Sequence, residues 1–266
     1  MKHFIRNSFL FTCIAISFLS CNNSEKDKFQ KLNKLPWNTV FSDDCTEDWT
    51  KNWTLDGLKA KVKNSSEGMS FYAGPNAFQD SSNTVLWTKK NFHGDLKIEY
   101  QYTKLDTLSK FVNIIYIQAT GLGEKTYKKD ISLWADKRKE PAMRTYYNNM
   151  NTLHISYAAY ENDNNNPEED YIRVRRYMPK LKQGLKGTEI EGAYFKTNFF
   201  KTGVKHNIVI IKKGDALLMK ISNKEQEAFY QWDLSQLPNV SSGKIGLRHM
   251  HQRASRYKNI VISQLY

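Results

Sequence analysis

Polar and apolar positions alternate in twos over much of this chain. In "DLKIEYQYT", Leu96, Ile98, Tyr100 and Tyr102 alternate with Lys97, Glu99 and Gln101. That is the period of a strand with one buried face. "FVNIIYIQATG" predicts a more fully buried strand ending at Gly121, and "TLHISYAAY", "DYIRVRRYM" and "KNIVISQLY" read as further strands. "KHNIVIIKKGDALLMKISN" predicts a hairpin with Lys213-Gly214-Asp215 at its tip. Helical signals are confined to "KDISLWADKRKEP" and "AMRTYYNNM", with Pro141 as a breaker between them. Many short strands with frequent turn signals predict an all-β fold, a jelly-roll sandwich of two sheets. No internal repeat is present. "ENDNNNPEED" is a polar loop; Asp163, Glu168 and Asp170 match no calcium-loop spacing, and the stretch reads as a solvated turn.

The amino-terminal end breaks the pattern. Lys2 and Arg6 precede an apolar run from Ser8 to Leu19, followed by Ser20-Cys21. Residues 1–20 therefore read as a secretory leader, too short for a comfortable membrane span. It resembles a bacterial lipoprotein signal, which implies lipidation at Cys21 and a lipid anchor to the outer membrane, on its periplasmic or outer side. The polar residues 21–36 read as a flexible tether. Residues 37–266 carry no linker or composition break and read as a single domain, a monomer.

Composition narrows the partner. The chain has 266 residues and a net charge of +13, of which Lys2 and Arg6 leave with the leader. No helix-turn-helix, zinc finger or RNP-type motif accompanies this charge, which argues against nucleic acid. An acidic polysaccharide suits an exported basic protein better. Cys13 leaves with the leader and Cys21 is the acylation candidate. Cys45 is then alone, reads as structural, and the fold must hold without a disulfide. The tryptophans read as core residues except Trp134, which is expected at the surface or a cleft rim.

Two stretches concentrate cations. As a strand, "DYIRVRRYMP" places Tyr171, Arg173, Arg175 and Tyr177 on one face, with Ile172, Val174 and Arg176 on the other. Guanidinium groups so placed must meet acids, water or an anionic ligand, with Glu99, Asp130 or Glu168 as candidate internal partners. In "TLHISYAAY", His154 shares a face with Ser156, Ala158 and Tyr160, and the small neighbours leave room for a ligand. In "GKIGLRHMHQRASRYKN", Ile245 and Leu247 point inward and Gly246 and Arg248 outward. Arg248, His249, His251, Arg253 and Tyr257 are then expected to rim the same concave face as Arg173 and Arg175. Guanidinium forks suit carboxylate and sulfate, and phenols suit sugar faces. Zinc-protease, phosphate-loop, CxxC and nucleophile-elbow motifs are all absent, and no metal or cofactor is expected. The nearest carboxylate pair, Glu189 and Glu191, lies in a loop-like stretch, which argues against two-carboxylate glycoside hydrolysis.

Taken together, "AGPNAFQDSSNTVLWTKKNFHGDLKIEYQY", "LHISYAAY", "DYIRVRRY" and "GKIGLRHMHQRASRYKN" resemble the YesU-like family of bacterial proteins. That resemblance implies a concanavalin A-like jelly roll with a saccharide site on its concave sheet. It also implies a role in degrading uronate-rich glycans such as rhamnogalacturonan or ulvan, by eliminating water from a terminal uronic acid. The residues suit that chemistry: arginines neutralising the carboxylate would stabilise the enolate-like transition state, while a base and an acid move protons. Arg173, Arg175 and Arg248 are the candidate carboxylate or sulfate binders, with Arg253, His251 and Trp134 beside them. His154 or His249 is the candidate base, and Tyr171, Tyr177 or Tyr257 the candidate proton donor. A non-catalytic glycan-binding lipoprotein and a lyase cutting internal uronate linkages are the alternatives.

Overall fold

The computed structural model describes residues 24–182 and 184–265; the leader and Cys21 lie outside them. Sixteen strands are described: β1 (Asn38–Asp43), β2 (Trp53–Asp56), β3 (Lys61–Ser65), β4 (Gly68–Tyr72), β5 (Thr84–Thr88), β6 (Phe92–His93), β7 (Leu96–Lys104), β8 (Asn113–Gly121), β9 (Met150–Ala159), β10 (Tyr171–Tyr177), β11 (Tyr194–Phe195), β12 (Lys205–Lys213), β13 (Ala216–Ser222), β14 (Glu227–Asp233), β15 (Ser242–His249) and β16 (Ala254–Gln264). They form two antiparallel sheets. The first runs β14-β13-β12-β7-β16-β4-β3 with β1 on β16. The second runs β11-β10-β9-β8-β15-β5-β2 with β6 on β15. This is the expected two-sheet jelly roll.

One apolar core fills the space between the sheets. From the first come Leu96, Ile98, Tyr100 and Tyr102 of β7, with Ile208 and Ile210 of β12. The second supplies Ile115, Ile155, Val174, Ile245 and Leu247. The alternation of β7 survives intact: its even-numbered positions are buried and its odd-numbered ones only partly so. β12 and β13 pair through Lys213 and Ala216, so Gly214-Asp215 makes a two-residue turn with Gly214 at φ 52°. A positive φ there suits the primed turns that match strand twist. Cys45 is buried in the same core, where burial and neighbouring Asp43 push its thiol pKa up.

Part of the expected tether is a helix. Residues 24–33 form α1, and Phe29 is 3% exposed against Ile211, Leu218 and Phe229 on the outer face of the first sheet. Phe29 and Leu32 are three residues apart and share one helix face, so a few apolar side chains suffice where a sheet already presents its own. Lys26 adds an ion pair to Glu227 at 2.8 Å.

A second covering layer lies on the outer face of the second sheet. It consists of a 3-10 segment, Ile131–Arg138, and the short helix α2, Met143–Asn149. Here the expected rim position of Trp134 is overturned. Its ring is 1% exposed, held by its indole N–H on the Lys128 carbonyl at 3.0 Å and stacked under Arg138 at 4.3 Å. All six tryptophans in fact pack into apolar clusters. Among the described residues no helix is long and apolar enough to cross a membrane, and no His, Cys, Asp and Glu group is arranged to hold a metal.

Candidate functional site

The strand registers bring sequence-distant residues into two adjacent rows across the outer face of the second sheet. One row runs Arg175, His154, Tyr116, Gly246 and Trp87, each directly opposite the next. The row beside it runs Arg173, Ser156, Ile114, Arg248, Val85 and Asp56. Arg173, Arg175 and Arg248 therefore do share one face, as expected, and the pairing of β9 with β10 brings His154 to it. Gly246 is required in this row: a Cβ there would meet the Trp87 ring at 2.4 Å. The open backbone lets that indole lie across the strand and stack on Tyr116, with ring centroids 5.4 Å apart.

His154 is the proton-handling group of the face. Its Nδ1 is 2.6 Å from the Tyr177 hydroxyl and its Nε2 2.7 Å from Ser156 Oγ. Burial, then Arg175, Arg248 and Arg173, hold its pKa well below the ordinary histidine range, so it is neutral near pH 7. Burial keeps Tyr177 protonated, with its pKa well above the usual phenol range. The neutral base and the protonated phenol thus form a hydrogen-bonded pair. Met143 of α2 covers them, its sulfur 3.6 Å from the Tyr177 hydroxyl and 3.8 Å from that of Tyr116.

The three arginines are not equivalent. Arg175 donates to Glu189 Oε1 and to the Leu185 carbonyl, both at 2.6 Å. Arg173 lies 3.6 Å from Glu161 and 3.7 Å from Glu189, over the ring of Tyr171 at 4.5 Å. Their acid partners are thus Glu161 and Glu189, and not Glu99, Asp130 or Glu168. Arg248 has no carboxylate in ion-pair reach among the described residues. It is fully buried, donates through Nη2 to the Pro141 carbonyl at 2.8 Å, and sits over Tyr146 at 4.6 Å. Its Nε and Nη1 make no hydrogen bond of good geometry. Burial pushes up the pKa of the Tyr116 phenol, and the guanidinium is close enough to that hydroxyl to pull against the rise. A buried cation left this way is costly, and its idle donors fit a carboxylate or sulfate.

Other expected rim residues lie elsewhere. His249 continues the inward alternation of Ile245 and Leu247; its Nε2 meets the Tyr257 hydroxyl at 2.9 Å and its ring lies 4.4 Å from Phe71. β15 runs through His249, which puts the ring between the sheets. Tyr257 belongs to the first sheet and points into the same core, beside Tyr157. Arg253 is locked on Asp106 at 3.0 Å and on the carbonyls of Lys110 and Phe111. His251 is nearer to expectation. It lies against exposed Phe78 and buried Phe111, and burial followed by nearby Arg248 lowers its pKa. Tyr171 is on the predicted face, at the far edge, packed on Phe195. Ala158 leaves the His154 face because a φ of 43° interrupts the alternation, and it joins the main core.

Four residues of the face carry no sequence signal: Asp56, Tyr116, Arg138 and Tyr146. Asp56 Oδ2 accepts from Arg138 Nε at 2.6 Å, Trp87 Nε1 at 2.7 Å and the Tyr146 hydroxyl at 3.0 Å. Burial pushes the Asp56 carboxyl up in spite of the pull of Arg138. Through Tyr146 this buried acid orients the ring under Arg248. An isolated Asp at a strand end, far in sequence from its partners, gives no spacing to read.

No family model and no curated protein matches the chain. Among solved structures it is similar to a protein of unknown function with a galectin-like fold from Bacillus subtilis. The TM-score is 0.66 at 13% identity, covering 86% of this chain and 98% of that one. It is also similar to the VIP36 exoplasmic/lumenal domain in its Ca2+/Man3GlcNAc-bound form, with a TM-score of 0.54 at 12% identity over 86% and 90% of the two chains. Lectin II from Ulex europaeus gives a TM-score of 0.54 at 9% identity over 84% and 97%. At these identities the likeness is one of architecture, a lectin-type sandwich, and the YesU-like resemblance is supported at the level of its fold.

Proposed function

We propose that this protein binds the acidic end of a uronate-bearing oligosaccharide on the outer face of its second sheet and eliminates water from that sugar. The observation that carries the reading is Arg248: a fully buried guanidinium with two idle nitrogens, on the same face as the His154–Tyr177 pair. A substrate carboxylate would replace the Pro141 carbonyl on Arg248. That contact holds the peptide leading into α2, so its loss favours withdrawal of Met143 from the Tyr177 hydroxyl.

In the resting tautomer Nδ1–H of His154 donates to Tyr177 and Nε2 accepts from the Ser156 hydroxyl; Nε2 is the base once that hydroxyl turns to the substrate. Nε2 takes the C5 proton, the electron pair forms the C4–C5 double bond, and the C4 oxygen leaves with the Tyr177 proton as water. The new imidazolium then returns its Nδ1 proton to the tyrosinate across their hydrogen bond, leaving both groups neutral with the abstracted proton on Nε2. Its loss to water through the Ser156 hydroxyl, with a proton taken back on Nδ1, restores the resting tautomer. Arg248 stabilises the charge that accumulates on the carboxylate as C5 loses its proton.

The test is incubation with uronate-ended fragments of ulvan, pectin and glycosaminoglycans. A new ultraviolet absorbance should appear together with loss of one water's mass at constant chain length. Shortened chains would mark a lyase. Saturable binding with no new absorbance would mark a glycan-binding protein, a reading that the lectin-type architecture favours. Export and anchoring through Cys21 are part of the proposal, checked by the lipid mass on the amino-terminal peptide.

A further inference from the structure

The second cationic feature lies at the opposite ends of β8 and β10, away from the outer face. A cavity of about 510 Å³ opens where the ends of β8 and β10 meet the loop between β14 and β15. Arg176, Lys129 and Lys180 line it, with Asn151, Asn239 and Ser241, and no acidic residue does. Arg176 alternates away from Arg175 and is 2% exposed. Its Nε and Nη2 donate to the Pro238 carbonyl at 3.1 and 3.0 Å, and its Nη1 to the Tyr177 carbonyl. Carbonyl dipoles hold the guanidinium in place without cancelling its charge, and burial brings its pKa down to about 10. Lys129 and Lys180 are exposed and lack ion-pair partners among the described residues.

From this geometry we infer that the cavity is a second binding site, for a sulfate or carboxylate carried on a sugar. The fixed cation at the base and two mobile ammonium groups at the mouth suit an oxyanion. Amide and hydroxyl side chains suit the sugar's own hydroxyls, and Leu122, Met178 and Pro179 offer the apolar wall that a sugar face needs. Tyr177 stands between Arg176 and Met178 in the chain, so this cavity begins one residue from the His154–Tyr177 pair. The inference rests on the reading of the outer face as an acidic-glycan site, to which it adds a second anionic contact.

Isothermal titration with uronate and sulfated-uronate oligosaccharides of increasing length, and with inorganic sulfate alone, tests it. Wild-type protein should bind the longer chains more tightly. The double variant K129E/K180E, at exposed positions that leave folding intact, should lose at least about tenfold in affinity for them, the equivalent of roughly 1.4 kcal/mol. The charge-matched control K201E/K224E should lose nothing. Equal affinities for wild type and K129E/K180E at every length overturn the cavity, as does tight binding of inorganic sulfate that longer saccharides fail to displace. Elimination that stops in R248M while K129E/K180E binds normally leaves the outer-face reading standing without the cavity. Loss of binding in K129E/K180E with no elimination by the wild type leaves the cavity and removes the catalyst.

Discussion

Arg248 and Arg253 sit five positions apart on either side of the β15–β16 turn, and both are fully buried. Their surroundings differ in kind. Arg253 meets the Asp106 carboxylate at 3.0 Å, and that carboxylate also accepts the Ala254 and Leu108 amides. Two carbonyls and the Tyr160 ring take up much of the rest of Arg253, with Nη2 alone unpartnered. Arg248 has one carbonyl, the Tyr146 ring and the nearby Tyr116 hydroxyl but no carboxylate, and two of its nitrogens make no hydrogen bond of good geometry. Burial therefore does not separate a structural arginine from a ligand-binding one. What separates them is whether the fold supplies the counter-charge.

The largest effect follows directly. Arg253→Met breaks a largely buried ion pair, leaves Asp106 with Lys104 at 3.7 Å as its one remaining cation, and should cost about 3 kcal/mol in chemical denaturation. Arg248→Met removes an uncompensated charge and should change stability by less than about 1 kcal/mol. It should also abolish turnover and binding of the acidic saccharide. Equal destabilisation by the two substitutions would make Arg248 a structural residue and end the functional reading.

Sequence reasoning reached the rows of the sheet but not their contents. Strand alternation placed Arg173, Arg175 and Arg248 on one face because a period of two holds over residues 173–175 of β10 and 246–248 of β15, and the pairing of β9 adds His154 to it. The same rule, carried one residue further, puts His249 inward with Ile245 and Leu247, which is why it is not on the expected rim. Arg253 and Tyr257 follow Gln252, whose φ of 66° reverses the chain and resets the pattern on another sheet. Asp106, Glu161 and Glu189, the acids that pair with Arg253, Arg173 and Arg175, come from loops and a 3-10 end, where no periodicity exists to project them. Docking of α1 depended on apolar residues of β12–β14 facing outward, a property of the assembled sheet.

Asp56→Asn probes the support beneath Arg248 and ranks next. It keeps the shape but removes the charge facing Arg138, so hydrogen bonds to a charged acceptor become neutral ones. A loss of about 1.5–3 kcal/mol is expected. With the Tyr146 hydroxyl less firmly held, the affinity of Arg248 for an anion should fall as well. Stability that drops with saccharide affinity unchanged would detach Asp56 from the site.

Each of the two arginines also has a histidine beside it. Burial, then Arg175 and Arg248 among others, depress His154; burial, then Arg253, depress His249. Both pKa values are lowered, so each ring stays neutral in the folded chain while the unfolded chain takes up a proton near pH 6.5. The stabilisation is present in full above that pH. It is lost as pH falls, at about 1.4 kcal/mol per unit for each ring. Anion binding at Arg248 cancels one of the charges acting on His154 and none acting on His249. Nuclear magnetic resonance titration of the imidazoles should show the His154 pKa moving up when uronate is bound, with His249 unmoved. A shift of both, or of neither, breaks the distinction.

The smallest effect concerns cover. Arg253 is sealed by Tyr160 and its own acid, whereas the face of Arg248 is closed by Met143, a half-buried side chain on a seven-residue helix. The Ala142 N-cap of that helix makes no side-chain hydrogen bond. A helix so short is marginal by itself, and its hold on the sheet depends on such contacts. Met143→Ala should therefore cost only about 1 kcal/mol of stability. Because a ligand must displace this side chain, the fraction of open molecules limits apparent affinity, and removing it should tighten saccharide binding by roughly threefold. Unchanged affinity would mean that Met143 merely packs there, and that ligands reach Arg248 by a route which leaves α2 in place.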